Sequence, residues 1–550
     1  MKKIIIVVLF LLTAYILIAN VNEPNSIIIQ RVQIKGNEAC TWIQNTGIFN
    51  QNTTSGNFTG LFWPCGINSY CYSSGLCGAG IINGKLAMFC CSYSGELSPG
   101  YIMNNKFQTN SDFKIYFIKS TDNESTNPDY ANWFKMIPYG APYQDVNNNC
   151  TYDPGIDKPG MPDAAQTVFI CMTDADSTQR NSIEGFGGGI RNPLLMAEVR
   201  LTVWTYADYP LNSTQMFRYQ IINKGINIWD SLYFTLFSDP DINASYIVNE
   251  FVGCDTSRHL GFAYSADTGK VAYGLRILRG PVNKITGDSI FLSSSTWIDK
   301  YSPCENEVGG EPAEAFFYMK GYKRGGTSFL DPTRPLGNGK FFKTKYVFSG
   351  DPETNTGWTP SKGRIYNCLG SDTGLIEPVY GGDRRMIMGM GAENFSMVPG
   401  DTQVIVFSQT LAGGSSNLNS VTKLKKMSDI IDYTYQHEIK LYAENFCPHS
   451  STSIPADYSL SQNYPNPFNS VTNIKFSIPG ISDVRLEVYD VLGRQVELLA
   501  NGEYKPGFYE IAFDAKELPS GIYFYRLVVV DKTVSAVKIY SNVKKMALIK

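Results

Sequence analysis

Short runs of apolar, aromatic and β-branched residues, each cut off by Gly, Asn, Pro or Asp, fill most of this chain. Residues 113–118, 198–204, 217–222 and 403–407 are examples. Runs of this length between turn formers fold as strands. The aromatic share of 13%, with 34 Tyr against 7 Trp, suits pleated, half-buried surfaces. One stretch breaks the pattern. Val421, Leu424, Met427, Ile430, Ile431, Tyr435 and Ile439 recur at spacings of three and four. That is the apolar stripe of a helix, with Ser420 as its expected N-cap, packing on the main domain. No regular alternation of strand and helix appears. The expectation is a mainly β chain: a large β-rich N-terminal region over residues 20–445, closed by one amphipathic helix. A division of that region into two lobes, if present, falls near residues 180–195. A hydrophobic share of 43% and a charged share of 18% exclude a disordered chain. The formal charge of −3 leaves no electrostatic footprint for nucleic acid.

Met1-Lys2-Lys3 precedes an apolar run from Ile4 to Ala19. A basic start before a run shorter than the ~20 residues that span a bilayer reads as a signal peptide over residues 1–19. Twelve cysteines suit an oxidising compartment, and the group from Cys65 to Cys91 is expected to staple a surface loop. None follows Cys447. A Ser/Pro-rich stretch at 446–462 reads as a linker. The chain beyond it is net positive and the chain before it net negative.

Residues 463–550 show short alternating runs. Ile474, Phe476 and Ile478 share one face, as do Val484, Leu486 and Val488. About seven such strands match a small immunoglobulin-like β-sandwich. Three stretches then become specific. The first is Asn463-Tyr464-Pro465-Asn466-Pro467-Phe468-Asn469. The second is Tyr489-Asp490-Val491-Leu492-Gly493-Arg494, continued by Pro519-Ser520-Gly521-Ile522-Tyr523. The third is Lys544-Lys545-Met546-Ala547-Leu548-Ile549-Lys550. This module resembles the type A C-terminal sorting domain of type IX secretion substrates of Bacteroidetes and related phyla. Ala547 stands where that family usually has a valine-like residue. The resemblance implies Sec export to the periplasm, then recognition by type IX machinery at the outer membrane. It also implies a secreted or cell-surface protein, with the domain removed and the cargo attached to surface lipopolysaccharide or released. Asn463, Pro465, Asn466, Pro467, Phe468, Gly493, Gly521, Tyr523, Lys544, Lys545 and Lys550 are the candidate sorting-signal residues.

In the cargo, Asp145, Asn147, Asn149 and Asp153 stand at positions 1, 3, 5 and 9 of a loop. The Thr151 carbonyl and Asp157 complete an all-oxygen set of the kind calcium prefers. The loop resembles the calcium loops of EF-hands and dockerins. Cys150 replaces their turn glycine, and Pro154 opposes an exiting helix. A standalone calcium loop is expected, against an Asn/Asp turn satisfied without a cation. A second, weaker acidic group is Asp239, Asp241 and Asp255. Asp174 and Asp176 form a further pair, and Gly185–Gly189 reads as a flexible turn.

Only three histidines are present: His259, His437 and His449. No nucleophile pairs with them by motif, and Gly-x-Ser-x-Gly and His-Glu-x-x-His are absent. Glu184, Glu198 and Asp239 are candidate carboxylates for glycoside cleavage. The favoured expectation is an exported protein without catalysis, serving adhesion, matrix or glycan contact. The alternative is a secreted hydrolase of polysaccharide or protein.

Overall fold

The structure is a computed structural model. It describes residues 29–52, 59–147, 149–180, 185–189, 193–242, 249–300, 302–440, 458–463, 465–480, 482–504, 507–531 and 538–550. The expected signal peptide and most of the expected linker lie outside them. No described helix is long and apolar enough to cross a membrane.

Two nine-stranded sheets make up the N-terminal region. The first runs in the order Arg31–Ile34, Cys40–Gln44, Ile48–Phe49, Ser69–Ile82, Asp230–Pro240, Arg384–Gly391, Ser294–Asp299. Leu61–Phe62 and Lys85–Phe89 pair beside its early strands. The second runs Tyr116–Lys119, Gln166–Thr173, Ala197–Thr205, Thr214–Asn223, Thr402–Gly413, Val271–Arg279, Leu260–Ser265, Glu250–Asp255. Pairing along both sheets is antiparallel. Each sheet takes strands from both sides of residues 180–195. One cluster of buried residues from Ile34 to Leu411 joins them, so the region does not split into lobes there.

The second sheet is covered on both faces. On Thr214–Asn223, Phe217, Tyr219 and Ile221 enter the cluster shared with the first sheet, while Met216 enters the one under the helix. That helix, Asn417–Thr434, continues into a π-turn at Tyr435–Ile439. Val421 and Leu424 pack with Leu260 and Phe262; Ile431, Tyr435 and Ile439 pack with Trp204, Met216 and Val406. Each fully buried aliphatic side chain contributes about 1.5–3 kcal/mol. Ile430 departs from the stripe and is 37% exposed. The N-cap is Ser416, one turn earlier than expected: its hydroxyl accepts from the Asn419 amide. Ser420 is buried inside the helix and donates to the Asn417 carbonyl.

The expected disulfides are present, but they do not lie within the Cys65–Cys91 group. Cys40 bonds Cys65, Cys304 bonds Cys368, and Cys150 is also disulfide-bonded. Cys71, Cys77, Cys90 and Cys91 are buried thiols, as are Cys171 and Cys254. Beyond Cys65 no loop is stapled, because Ser69–Ile82 and Lys85–Phe89 are strands of the core, where thiols act as small apolar groups. A Cβ on Gly75 would lie 2.3 Å from the Cys91 carbonyl, so the backbones there touch directly. The Gly185–Gly189 run is likewise buried rather than flexible. Phe186–Gly187 pairs in parallel with Val308–Gly309, and Gly189 donates to Glu96 Oε1 at 2.7 Å.

A buried polar chain crosses between the sheets. Asn50 Nδ2 donates to Gln409 Oε1 at 2.7 Å, and Gln409 Nε2 returns to Asn50 Oδ1 at 3.0 Å. Asn50 also donates to Ser74, whose hydroxyl meets Ser238; Ser238 meets Tyr273 OH, which donates to Gln409.

The C-terminal region is a two-sheet sandwich. Ser459–Leu460, Val471–Ile478 and Gly507–Asp514 face Gln495–Tyr504, Ser482–Tyr489, Gly521–Asp531 and Lys538–Leu548. The alternation reads through: Ile474, Phe476, Ile478, Val484, Leu486 and Val488 are buried in one cluster with Tyr525, Leu527 and Met546. Ser459–Leu460 pairs with Phe476 and Ser477 inside the stretch expected as linker.

Gln409→Leu orphans buried amide groups. It should cost about 1–3 kcal/mol in denaturant unfolding. The thiols of Cys77, Cys90 and Cys91 should resist a thiol reagent in the native protein and react after unfolding. Their absence from the reactive pool of the unfolded protein would contradict the thiol assignment.

Candidate functional site

The Asp230–Pro240 strand lies between Ser69–Ile82 and Arg384–Gly391. Its end and the neighbouring strand ends frame a cavity of about 490 Å³. Asp239 forms part of its wall and is only 4% exposed. Asp239 Oδ2 accepts from Tyr93 OH at 2.7 Å. Its Oδ1 has no hydrogen-bond donor, and Arg385 Nε stands 3.5 Å away. Arg385 organises the rest. Its Nε donates to Tyr93 OH at 2.7 Å, one terminal nitrogen meets Glu307 at 2.9 Å, and the other is held by Asp383. Lys300 Nζ lies 3.4 Å from Asp383. Tyr72 and Asp241 complete the lining, with the Tyr72 ring edge-on to Tyr93 at 5.5 Å.

Burial pushes the Asp239 carboxyl up to about 8, against the pull of Arg385, with Asp241 and Asp383 adding to the rise. Burial, then the Asp383 charge, pushes Asp241 up to about 6. Near neutrality one carboxyl holds its proton beside another that is mostly ionised, which suits acid–acceptor work or recognition of hydroxyls.

The sequence grouping of Asp239, Asp241 and Asp255 is thus divided. Asp255 is not part of this cavity. It sits against the Asn417–Thr434 helix, bound to Arg258 at 2.8 Å and 3.7 Å from Lys425. The His259 ring stacks on Phe291 at 4.5 Å. Asp174 is fully buried with Arg180, and Asp176 caps a short turn and accepts from Ser98. Glu198 pairs with Arg200 at 2.7 Å. Glu184 lies outside the described residues. Sequence reasoning missed Tyr93, Lys300, Glu307, Asp383 and Arg385. The one available signal was the Asp383-Arg384-Arg385 charge run opening an otherwise apolar strand.

The Asp145 loop closes on itself. Asp145 accepts from the Asn149 and Cys150 amides at 3.1 and 2.7 Å. Asp157, 3% exposed, accepts from Val146 and Asp153 at 2.8 and 2.7 Å. Asn147 and Asn149 both donate to Asp153 Oδ2, at 2.8 and 2.7 Å, which holds that carboxyl below its usual range. Asn149 Oδ1 accepts from the Thr151 amide. Among the described residues no group of three or more His, Cys, Asp or Glu side chains is placed to hold a metal ion.

In the C-terminal sandwich the motif residues tie the entry loop to the last strand. Asn463 is buried; its amide nitrogen donates to Thr472 and the Pro465 carbonyl, and its backbone donates to Tyr525 OH. Asn466 accepts from the Ala547 amide at 2.9 Å, across a cis bond to Pro467. Phe468 is in the core, and its amide donates to the Ala547 carbonyl. Gly493 takes φ +77° in the turn held by Asp490, and Gly521 opens a strand. Tyr523 OH donates to Pro519. Lys538–Leu548 is an edge strand, and Lys545 on it is exposed while Lys544 is half-buried. Lys550 reaches Ser520 and Lys516 by its backbone and side chain.

Residues 462–540 match the family model of a secretion system C-terminal sorting domain. The sandwich is therefore an export address. The address is the one used by type IX secretion, and it implies a secreted or cell-surface protein. No curated protein matches the chain. Among solved structures it is similar to a polysaccharide lyase at 8% identity and a TM-score of 0.17, over 64% of this chain and 34% of that one. It is also similar to the adhesin domain of Epf from Streptococcus pyogenes at 7% identity and a TM-score of 0.13, over 68% of this chain and 98% of that one. The chain thus spans about a third of the lyase, and neither likeness carries an argument about fold or activity.

A carboxyl whose folded value stands at about 8, above the ordinary 3.8, favours the fold most at low pH. Its contribution falls as the pH rises from about 4 through about 8. Asp239→Asn keeps an acceptor for Tyr93 and removes this titration. It should raise the melting temperature more at pH 8 than at pH 5; equal changes at both would refute the assignment.

Proposed function

We propose that this is an exported surface or secreted protein, delivered through the type IX machinery at the outer membrane by its C-terminal sandwich. Its N-terminal double sheet serves adhesion, matrix or glycan contact outside the cell. The match over residues 462–540 carries the export part. After export the cargo is joined to surface lipopolysaccharide or released. In a host with this system, deletion of residues 538–550 should leave the protein in the periplasm, read by fractionation. Arrival of the truncated chain at the surface would sink the reading.

Calcium is the proposed structural ion of the Asp145 loop. The side chains of Asn147 and Asn149 already meet at Asp153, and Asp145 and Asp157 tie into the same loop through its backbone amides; a half-turn of the two asparagine amides would offer oxygen beside Asp153. An ion bound only by the folded protein raises its melting temperature. Calcium should therefore raise it by several degrees over chelator, and Asp145→Ala should abolish the rise. No difference between calcium and chelator would leave the loop as a hydrogen-bonded turn.

A second reading, a secreted hydrolase, is favoured by the raised carboxyls of Asp239 and Asp241 in one cavity. It requires that polysaccharide or protein incubated with the full chain release products, and that Asp239→Asn stop the release.

A further inference from the structure

We propose that the cavity at the end of the Asp230–Pro240 strand binds a neutral polyhydroxylated sugar, with Asp241, Lys300 and Tyr72 as its contacting side chains. The inference rests on the surface-contact reading of the cargo and localises that contact.

The lining decides the chemistry. Small-molecule cavities of about 300–1,000 Å³ are usually mainly apolar. This one, at about 490 Å³, is lined only by charged residues and tyrosines. Its acceptors are carboxylates, and Lys300 and Tyr72 bring an ammonium and a phenol. A hydroxyl both donates and accepts, so a ligand rich in hydroxyls can meet the whole set.

Charge narrows the choice further. With Asp239 holding its proton near neutrality, Asp241, Glu307 and Asp383 stand against Lys300 and Arg385. Arg385 is occupied by Glu307, Asp383 and Tyr93, and Lys300 faces Asp383. The cations are thus matched internally and the acids are in excess. A uronate, sulfate or phosphate would meet uncompensated negative charge. A cationic ligand would meet Lys300, which is exposed at the rim and next to Asp383.

The site is built rather than incidental. Asp239 is buried with one carboxyl oxygen lacking a hydrogen-bond donor, and Tyr93 and Arg385 fix the wall around it. Asp241 and Tyr72 are half-buried and remain within reach of a ligand. Tyr72 brings an aromatic ring to the same cavity, and rings of this kind offer apolar contact to the C–H face of a sugar while staying compatible with polar neighbours.

The test presents the full chain to immobilised neutral hexaoses (gluco-, manno-, xylo- and galacto-linked), with hexagalacturonate and chitosan hexaose as the charged arms. At least one neutral hexaose should bind. Asp241→Asn should weaken it by tenfold or more with the melting temperature retained, and Tyr72→Ala should weaken it independently. Three results overturn the proposal: no neutral hexaose binds; only a charged oligomer binds; or both variants bind as the parent does. Export is read separately by fractionation, so failure of the sorting domain and failure of this site are distinguishable.

Discussion

The reciprocal amide pair of Asn50 and Gln409 sets how the two large sheets meet. Apolar side chains alone allow sheets to slide, because dispersion contacts carry little direction. Two buried hydrogen bonds at 2.7 and 3.0 Å do not. The pair extends through Ser74 to Ser238 and back through Tyr273, so the strand carrying Ser238 is registered against both sheets. Asp239 is the next residue. The cavity wall therefore inherits its position from a polar core, and a site with a buried carboxyl needs such a fixed frame.

Much of the fold was legible in the residues, for reasons that differ by element. Strands such as 217–222 were legible by alternation: Phe217, Tyr219 and Ile221 enter the core shared with the first sheet, and Arg218 and Gln220 stand between them. The helix stripe was legible in Val421, Leu424 and Ile431. The cap was misplaced because Ser416 and Ser420 stand one turn apart, and only the chain entry separates them. The cysteines misled because an exported chain invites pairing. Whether Cys77 and Cys91 bond depends on strand register, which their spacing does not encode. The glycine run at 185–189 looked like a turn, yet its lack of side chains lets Glu96 approach the backbone.

The cavity shows the limit more sharply. Asp239 and Asp241 stood out by spacing. Tyr93 and Arg385 lie far from them in sequence and meet them only through strand order. Grouping Asp255 with these acids was a natural error, since it ends a strand of the other sheet and serves the helix. The sorting module was readable for the opposite reason. Its specificity lies in contiguous stretches whose side chains bond to backbone nearby or to one last strand.

That last strand lies at the border of its sheet; the entry loop claims the outward backbone groups of Lys545 and Ala547, and no further described strand pairs with the rest of that border. Such a border invites a second copy of the same chain to pair with it. Lys544 and Lys545 place like charges there, so two copies brought side by side repel. Those cations would keep the protein from aggregating on its way out, and a substitution that neutralised them would cost solubility.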